Sequence, residues 1–495
     1  MRRSRFGLRL AALAAAAAWA AAASGAWAAG PKIALSPTEN HPNSNTQVDG
    51  NSFGANEAID IYFDTTDEAL AFTNSNGVFG KTPVPVPANA LPGTHYITAV
   101  QRSNDEGAQK VFTVSTDWSQ FHFDAKHKGL NAWENVLAPD NVSNLDVAWT
   151  AAMTGGATES SPAVVDGVVY EASVPGTLYA FDAGSGALLW SATTGNSILY
   201  SSPSVANGVV YVGCEDDNLY AFNATTGALL WTAPTGSAIV SSPAVVNGVV
   251  YVGSLDHKLY AFNASSGALL WTATTGSIVY SSPAVANGVV YVGSFDDKLY
   301  AFDATNGAQL WTATTGSAIQ SSPAVAKGVV YVGSYDDKLY AFNAATGALL
   351  WTAATGAVIE GCPAVASGVV YVGSFDDKLY AFDAASGALL WSATTGNSIF
   401  SSPAVANGVV YVGSEDHNLY AFDAASGASL WTAETGSLIL GSPAVANGMV
   451  YAGSYDGNLY AYALDGGRDA VYRGKRKPPA ISSLHPDWSL KPARN

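Results

Sequence analysis

One unit of 40 residues recurs through most of the chain, and this period constrains the fold more than any other feature. Trp231, Trp271, Trp311, Trp351, Trp391 and Trp431 stand 40 apart, while Trp149, Trp190 and Trp231 stand 41 apart. Between them the same runs return, as in Ser241-Ser242-Pro243-Ala244-Val245-Val246-Asn247-Gly248, Val249-Val250-Tyr251-Val252-Gly253-Ser254, Leu259-Tyr260-Ala261-Phe262 and Leu269-Leu270-Trp271. Four short strand-like runs form a meander that cannot bury its own faces and must stack on copies of itself. A period of about 40–45 residues is that of one propeller blade.

The turns agree with that count. Asn-Gly pairs at 207–208, 247–248, 287–288, 407–408 and 447–448 predict two-residue type I′ hairpins, which need positive φ at both positions. Acids such as Glu215-Asp216-Asp217 mark the second turn of each unit and are expected to be solvated turn residues. Eight starts of the Pro-Ala-Val type occur, at Pro162, Pro203, Pro243, Pro283, Pro323, Pro363, Pro403 and Pro443, but only seven reach a tryptophan strand of their own. Leu145-Asp146-Val147-Ala148-Trp149-Thr150, ahead of the first unit, supplies the missing one. The fold class is therefore all-β: an eight-bladed propeller of four-stranded blades over residues 117–467, whose last blade takes its outer strand from the front of the array. Such closure removes exposed strand edges that would otherwise aggregate.

The flanks are different in kind. Residues 1–28 read as a signal peptide, with Arg2, Arg3, Arg5 and Arg9, an apolar run from Leu10 to Ala23, and Ala26-Trp27-Ala28 as a cleavage site. This implies a periplasmic or secreted protein with no membrane span after signal removal. Residues 468–495 read as a basic flexible tail. Of 22 basic and 39 acidic residues, four Arg precede residue 30 and seven Lys/Arg against two Asp follow 467, which leaves the body with 11 basic and 37 acidic. That field repels phosphate backbones, so nucleic acid is excluded as a partner of the body. Cys214 and Cys362 fall four blades apart and are expected to be small buried thiols rather than a disulfide.

Residues 31–115 carry short runs such as Ile59-Asp60-Ile61-Tyr62-Phe63 and His95-Tyr96-Ile97-Thr98-Ala99-Val100 between Gly, Asn and Pro clusters, the spacing of a small β-sandwich. With Leu35-Ser36-Pro37, Gly50-Asn51-Ser52-Phe53-Gly54, Pro92-Gly93-Thr94 and Val111-Phe112-Thr113-Val114, the segment resembles the Ig-like modules of bacterial surface proteins. The resemblance implies a spacer or adhesion module.

The motif Ala180-Phe181-Asp182 followed by Gly186 and Trp190, repeated through Ala421-Phe422-Asp423, Gly427 and Trp431, resembles the tryptophan-docking motif of the quinoprotein, or PQQ-repeat, β-propellers. Asp117-Trp118-Ser119-Gln120-Phe121 and Gly129-Leu130-Asn131 look like the opening of that family. The resemblance implies that Trp149, Trp190, Trp231, Trp271, Trp311, Trp351, Trp391 and Trp431 are structural plates between blades. It also implies one of two functions: a PQQ-dependent dehydrogenase of alcohols or sugars using PQQ with Ca²⁺, or a non-catalytic relative such as an outer-membrane protein assembly factor.

The catalytic reading has little support in the residues. Copies from 201 to 460 keep their period without insertion, and no adjacent cysteines, Cys-x-x-Cys-His, His-Glu-x-x-His or Gly-x-Ser-x-Gly occur. His122, Asp124 and His127 have metal-ligand chemistry but belong to the lead-in, and no metal site is expected. Comparing copies exposes two variable rows instead. Before each Ser-Ser-Pro stand Glu159, Tyr200, Val240, Tyr280, Gln320, Glu360, Phe400 and Leu440; before the turn Asp stand Val174, Glu215, Leu255, Phe295, Tyr335, Phe375, Glu415 and Tyr455. Both rows fall on one face of the disc. Its binding-face candidates are Glu159, Tyr200, Tyr280, Gln320, Glu360 and Phe400 near the opening, with Phe295, Tyr335, Phe375 and Tyr455 farther out. The reading is an exported envelope scaffold, without cofactor and monomeric, that binds a protein or a cell-envelope polymer through this face.

Overall fold

The computed structural model describes residues 30–154, 156–467 and 478–484; the signal peptide expected at 1–28 lies outside them. Two compact units result. One holds the described residues up to Pro87, Thr94–Thr113 and residues 478–484; the other holds Ala88–Gly93 and Val114 onward.

The first unit has eight strands: β1 (Lys32–Ser36), β2 (Glu39–Asn40), β3 (Asn45–Asn51), β4 (Ala58–Phe63), β5 (Thr66–Phe72), β6 (Phe79–Pro85), β7 (Gly93–Gln101) and β8 (Gly107–Val114). They form two sheets, ordered β1-β3-β6 and β2-β8-β7-β4-β5. Ile59, Ile61, Ile97, Ala99 and Phe112 are fully buried in its core. The expectation of a flexible tail fails over its described part. Ile481–Ser483 form a 3-10 turn, and Leu484 is buried with Ile481 against Tyr62 and Val100, because residues 478–484 carry no charge and offer these two apolar side chains.

The second unit is a propeller of eight sheets. In blade 1, Ala163–Val165, Val168–Ser173, Thr177–Asp182 and Leu188–Thr193 pair in sequence, and the later blades repeat that order. Blade 8 pairs Ala444–Ala446, Met449–Gly453 and Asn458–Leu464, then takes Leu145–Ala152 as its outer strand, antiparallel from Leu145 opposite Leu464 to Ala152 opposite Asn458 with a bulge between Val147 and Trp149. The first hairpins of all eight blades have positive φ at both central positions. They include Asp166-Gly167, Lys327-Gly328 and Ser367-Gly368, where no Asn announces the turn.

Seven of the eight seams are docked in one way. The indole N–H of Trp190 and the hydroxyl of Tyr170 both donate to the Ala224 carbonyl of the next blade, at 2.9 and 3.1 Å. The Trp149 indole spans the closing seam and donates to Ala183 at 2.9 Å. A Cβ built on Gly186 would lie 2.6 Å from the Trp149 ring, so the plate needs a glycine above it, and that glycine has φ +69°. Trp431 differs: its partner is the Leu145 carbonyl, and the buried hydroxyl of Tyr411 beneath that seam has no hydrogen-bond partner. Trp149 is 8% exposed, so Trp149→Ala is expected to cost about 3–5 kcal/mol, measured by chemical denaturation.

The lead-in does more than precede the ring. It runs around the axis and meets the inner strand of every blade in order. Trp118 bridges Val164; the Ser119 carbonyl accepts from Val205 N–H; the Gln120 amide clasps both backbone groups of Val245. The carbonyls of Ala125, Lys126, Lys128 and Gly129 then accept from Val285, Val325, Val365 and Val405 at 2.6–2.8 Å, and Asn131 Nδ2 donates to the Val445 carbonyl. Inner edges that would expose unpaired backbone are thereby satisfied.

Candidate functional site

The inner strands carry the variable residue, two serines and a proline toward the axis before they reach the lead-in. The second serine of each copy builds a collar there. Its backbone N–H donates to the hydroxyl one blade on: Ser161 to Ser202, then Ser242, Ser282 and Ser322, and from Cys362 to Ser402, Ser442 and back to Ser161, at 2.9–3.0 Å. The step from Ser322 to Cys362 is missing, because a thiol stands where the collar needs a hydroxyl; Ser321 Oγ donates to the Gly361 carbonyl instead. Both cysteines are free and buried, and burial holds the Cys362 thiol well above its ordinary pKa.

Above the collar the structure gathers the inner variable row. Glu159, Tyr200, Val240, Tyr280, Gln320, Glu360, Phe400 and Leu440 line one axial cavity of about 70 Å³, and Phe121 of the lead-in lines it from below. The rings meet across the axis. Tyr200 stacks on Phe400 with centroids 5.6 Å apart and lies 6.4 Å from Tyr280. The outer row joins them: Phe295 lies 5.3 Å from Tyr280, Tyr335 5.9 Å from Phe295, and Phe375 6.2 Å from Phe400. Tyr455 stands exposed at 41%. Tyr200 stands at φ +60°, a strained backbone for an aromatic residue, and its copy has one more residue between the tryptophan and Ser-Ser-Pro than the following copies.

The carboxylates of the mouth differ in their surroundings. Tyr335 donates its hydroxyl to Glu360 Oε1 at 2.6 Å, and Gln320 donates its amide to Glu360 Oε2 at 3.0 Å. Glu159 has a buried Oε2 with no hydrogen-bond partner. Burial and then Glu215 raise the Glu159 pKa; for Glu360 burial leads, opposed by the Tyr335 bond. Burial and the Glu159 charge push the Tyr200 phenol up to about 12.

One buried acid lay outside the sequence reading. Glu171 stands where six copies have Val, and its Oε1 accepts from Thr158 Oγ1 at 2.8 Å and from Ser160 Oγ, while Oε2 has no partner. Complete burial pushes its carboxyl up to about 8. Thr158 in turn replaces an aliphatic residue; it packs on Gly453 as Ile239 does on Gly213, which places the pair at the seam that closes the ring. A Glu among Val copies was visible in the sequence, but its partners were not.

The expected metal-ligand types in the lead-in are used otherwise. His122 directs its two ring nitrogens at the carbonyls of His127 and Pro403, each at 2.8 Å, and His127 Nδ1 faces the Pro323 carbonyl. Burial lowers the pKa of both, that of His127 to about 3. Asp124 accepts from the Lys126 N–H and pairs with Lys128. The turn acids also depart from expectation: Asp216, Asp256, Asp296, Asp336, Asp376, Asp416 and Asp456 each accept a tyrosine hydroxyl at 2.5–2.7 Å, so they brace their turns rather than merely face water.

Residues 140–240 match the family model described as outer membrane protein assembly factor BamB, and residues 285–468 match the beta-propeller of beta-alanine-activating enzyme. None of the curated proteins matches the chain. Among solved structures, BamB from Moraxella catarrhalis is 20% identical with a TM-score of 0.57, over 64% of this chain and 99% of that one. Quinohemoprotein alcohol dehydrogenase ADHIIG from Pseudomonas putida HK5 is 17% identical with a TM-score of 0.62, over 74% and 82%. The computationally designed Ika8 protein is 19% identical with a TM-score of 0.58, over 64% and 99%. These likenesses establish the fold alone, a β-propeller; the family match over residues 140–240 and the tryptophan plates at the seams make the array similar to the PQQ-repeat β-propellers.

Proposed function

We propose that the protein is an exported cell-envelope scaffold that binds a macromolecular partner through the aromatic face of its propeller. The observation that carries this reading is the joined ring platform at the mouth, where Tyr200, Tyr280, Phe400, Phe295, Tyr335 and Phe375 support one another and remain half-buried in the free protein. Large rigid rings anchor interfaces at small entropic cost. The BamB match supports a protein partner, and the two sheets of the first unit, β1-β3-β6 and β2-β8-β7-β4-β5, support an Ig-like spacer. Among the described residues no helix is long and apolar enough to cross a membrane.

Tyr200→Ala combined with Tyr280→Ala is expected to abolish capture of the partner that the wild type recovers from envelope extract. Asn247→Asp with Asn287→Asp, on the opposite face, is expected to leave capture intact, since Asp166 already adopts φ +51° at the same hairpin position. Equal loss in both sets, or in neither, overturns the assignment.

The dehydrogenase neighbours favour a second reading, PQQ with Ca²⁺. The axial residues do not fit that cofactor: about 70 Å³ takes a few waters and not a fused tricyclic quinone. A 660 Å³ groove opens on the other face beside blade 7, but its Glu134 and Asn131 are committed to backbone groups of the lead-in and blade 8. Calorimetric titration with PQQ and Ca²⁺ is expected to give no binding tighter than about 1 μM, roughly 8 kcal/mol; tighter binding favours the oxidoreductase.

A further inference from the structure

We propose that Glu159 and the ring of Tyr200 form a seat for a cationic side chain, a lysine ammonium or arginine guanidinium, presented by the partner. The inference deepens the binding-face reading and rests on it. Four features converge. Among the axial carboxylates, Glu360 has both oxygens occupied by Tyr335 and Gln320, whereas Glu159 keeps a buried oxygen without a partner. An unpaired acid oxygen shielded from water is costly unless a donor or cation arrives. Tyr200 lines the same cavity close enough to feel the Glu159 charge, and its electron-rich ring is held by Phe400 and Tyr280. A carboxylate beside such a ring suits a cation better than either group alone.

The third feature is that among the described residues no Lys or Arg lines the cavity, so the charge has no counterpart there among them. Burial and the neighbouring Glu215 both oppose ionisation of Glu159, and an incoming cation relieves both. Fourth, Tyr200 lines the axial cavity at φ +60°, a strained conformation of the kind that clusters at functional sites. The acidic body adds long-range attraction for a basic partner but cannot choose a site. Glu159 and Tyr200 can.

The test is titration of the mature protein with a hexalysine peptide at low ionic strength, followed by calorimetry. Glu159→Gln is expected to weaken binding by about tenfold or more, the loss of one charge-assisted contact. Asp383→Asn removes the same charge on the opposite face and is expected to change little; Asn343 holds that place in the preceding copy, so the fold tolerates it. Equal weakening by both variants overturns the proposal in favour of non-specific attraction to the acidic body. If hexalysine binding ignores Glu159→Gln while maltohexaose binding is lost in it, the seat takes hydroxyl-rich ligands and the proposal fails. If Glu159→Gln has no effect on either probe but Tyr200→Ala with Tyr280→Ala still abolishes partner capture, the cationic seat is wrong and the binding face survives.

Discussion

Deleting residues 117–134 while keeping the outer strand Leu145–Ala152 is expected to destroy the ring almost as thoroughly as deleting 117–150. Closure of blade 8 alone does not account for this. The lead-in accepts from, or bridges, the inner-strand amides of Val164, Val205, Val245, Val285, Val325, Val365 and Val405, and Asn131 donates to the Val445 carbonyl. Removing a partner from a buried backbone group costs about 1–3 kcal/mol, so this loss summed around the axis is on the order of 10 kcal/mol, comparable to the whole stability of an ordinary domain. Trp118 and Phe123, buried in the core of blades 8 and 1, leave with it. The expected result is aggregation or a non-cooperative melt by circular dichroism and size exclusion. A 117–134 deletion that stays monomeric and melts within a few degrees of wild type sinks the claim. Asn131→Ala is the milder form: its side chain ties Thr116 and Val445 together through two carbonyls, and its loss is expected to lower the melting temperature without abolishing the ring.

What was legible in the sequence followed from repetition. Spacing of tryptophans, prolines and Asn-Gly pairs specifies blades, hairpins and the borrowed strand, because each is a local demand made eight times over. The hairpins at Lys327 and Ser367 show the limit of residue preference, since the strands around them impose the left-handed turn without Asn. The lead-in was read as the start of an array and not as its clasp. It offers one backbone carbonyl to most blades, and a carbonyl has no signature in a sequence. Of the axial site, both variable rows were legible as differences between copies. The convergence of Tyr200, Tyr280 and Phe400 was not, because spacing in a sequence does not give the direction in which each ring points. The serine collar was equally hidden. A repeated Ser-Ser-Pro does not say where its hydroxyl points, although the single Cys362 marks the position where the collar breaks.

Glu171→Val is expected to stabilise the protein at neutral and alkaline pH, and to do so progressively less as the pH falls. The buried carboxyl titrates near 8 in the folded state against an ordinary 4.5. Between these values the folded protein keeps the proton and the unfolded chain releases it, so stability falls as pH rises from about 4.5 to about 8 and then levels off. One pKa unit is about 1.4 kcal/mol, so the full penalty is roughly 5 kcal/mol. Val is the residue at this register in six other copies, and the neighbouring hydroxyls keep partners without the acid. Without the acid, the Thr158 hydroxyl is free to donate to the Ala172 carbonyl, 2.7 Å away, and Ser160 Oγ to donate to that carbonyl while accepting from the Ala172 N–H. Glu171→Gln preserves shape and removes the titration, so melting temperatures of wild type minus Gln variant, taken from pH 4.5 to 9, isolate this group from Glu159 and Glu360. The difference is expected to widen steadily with pH until about 8. A flat difference means that Glu171 is not a buried neutral acid, and the closing seam then owes nothing to its proton.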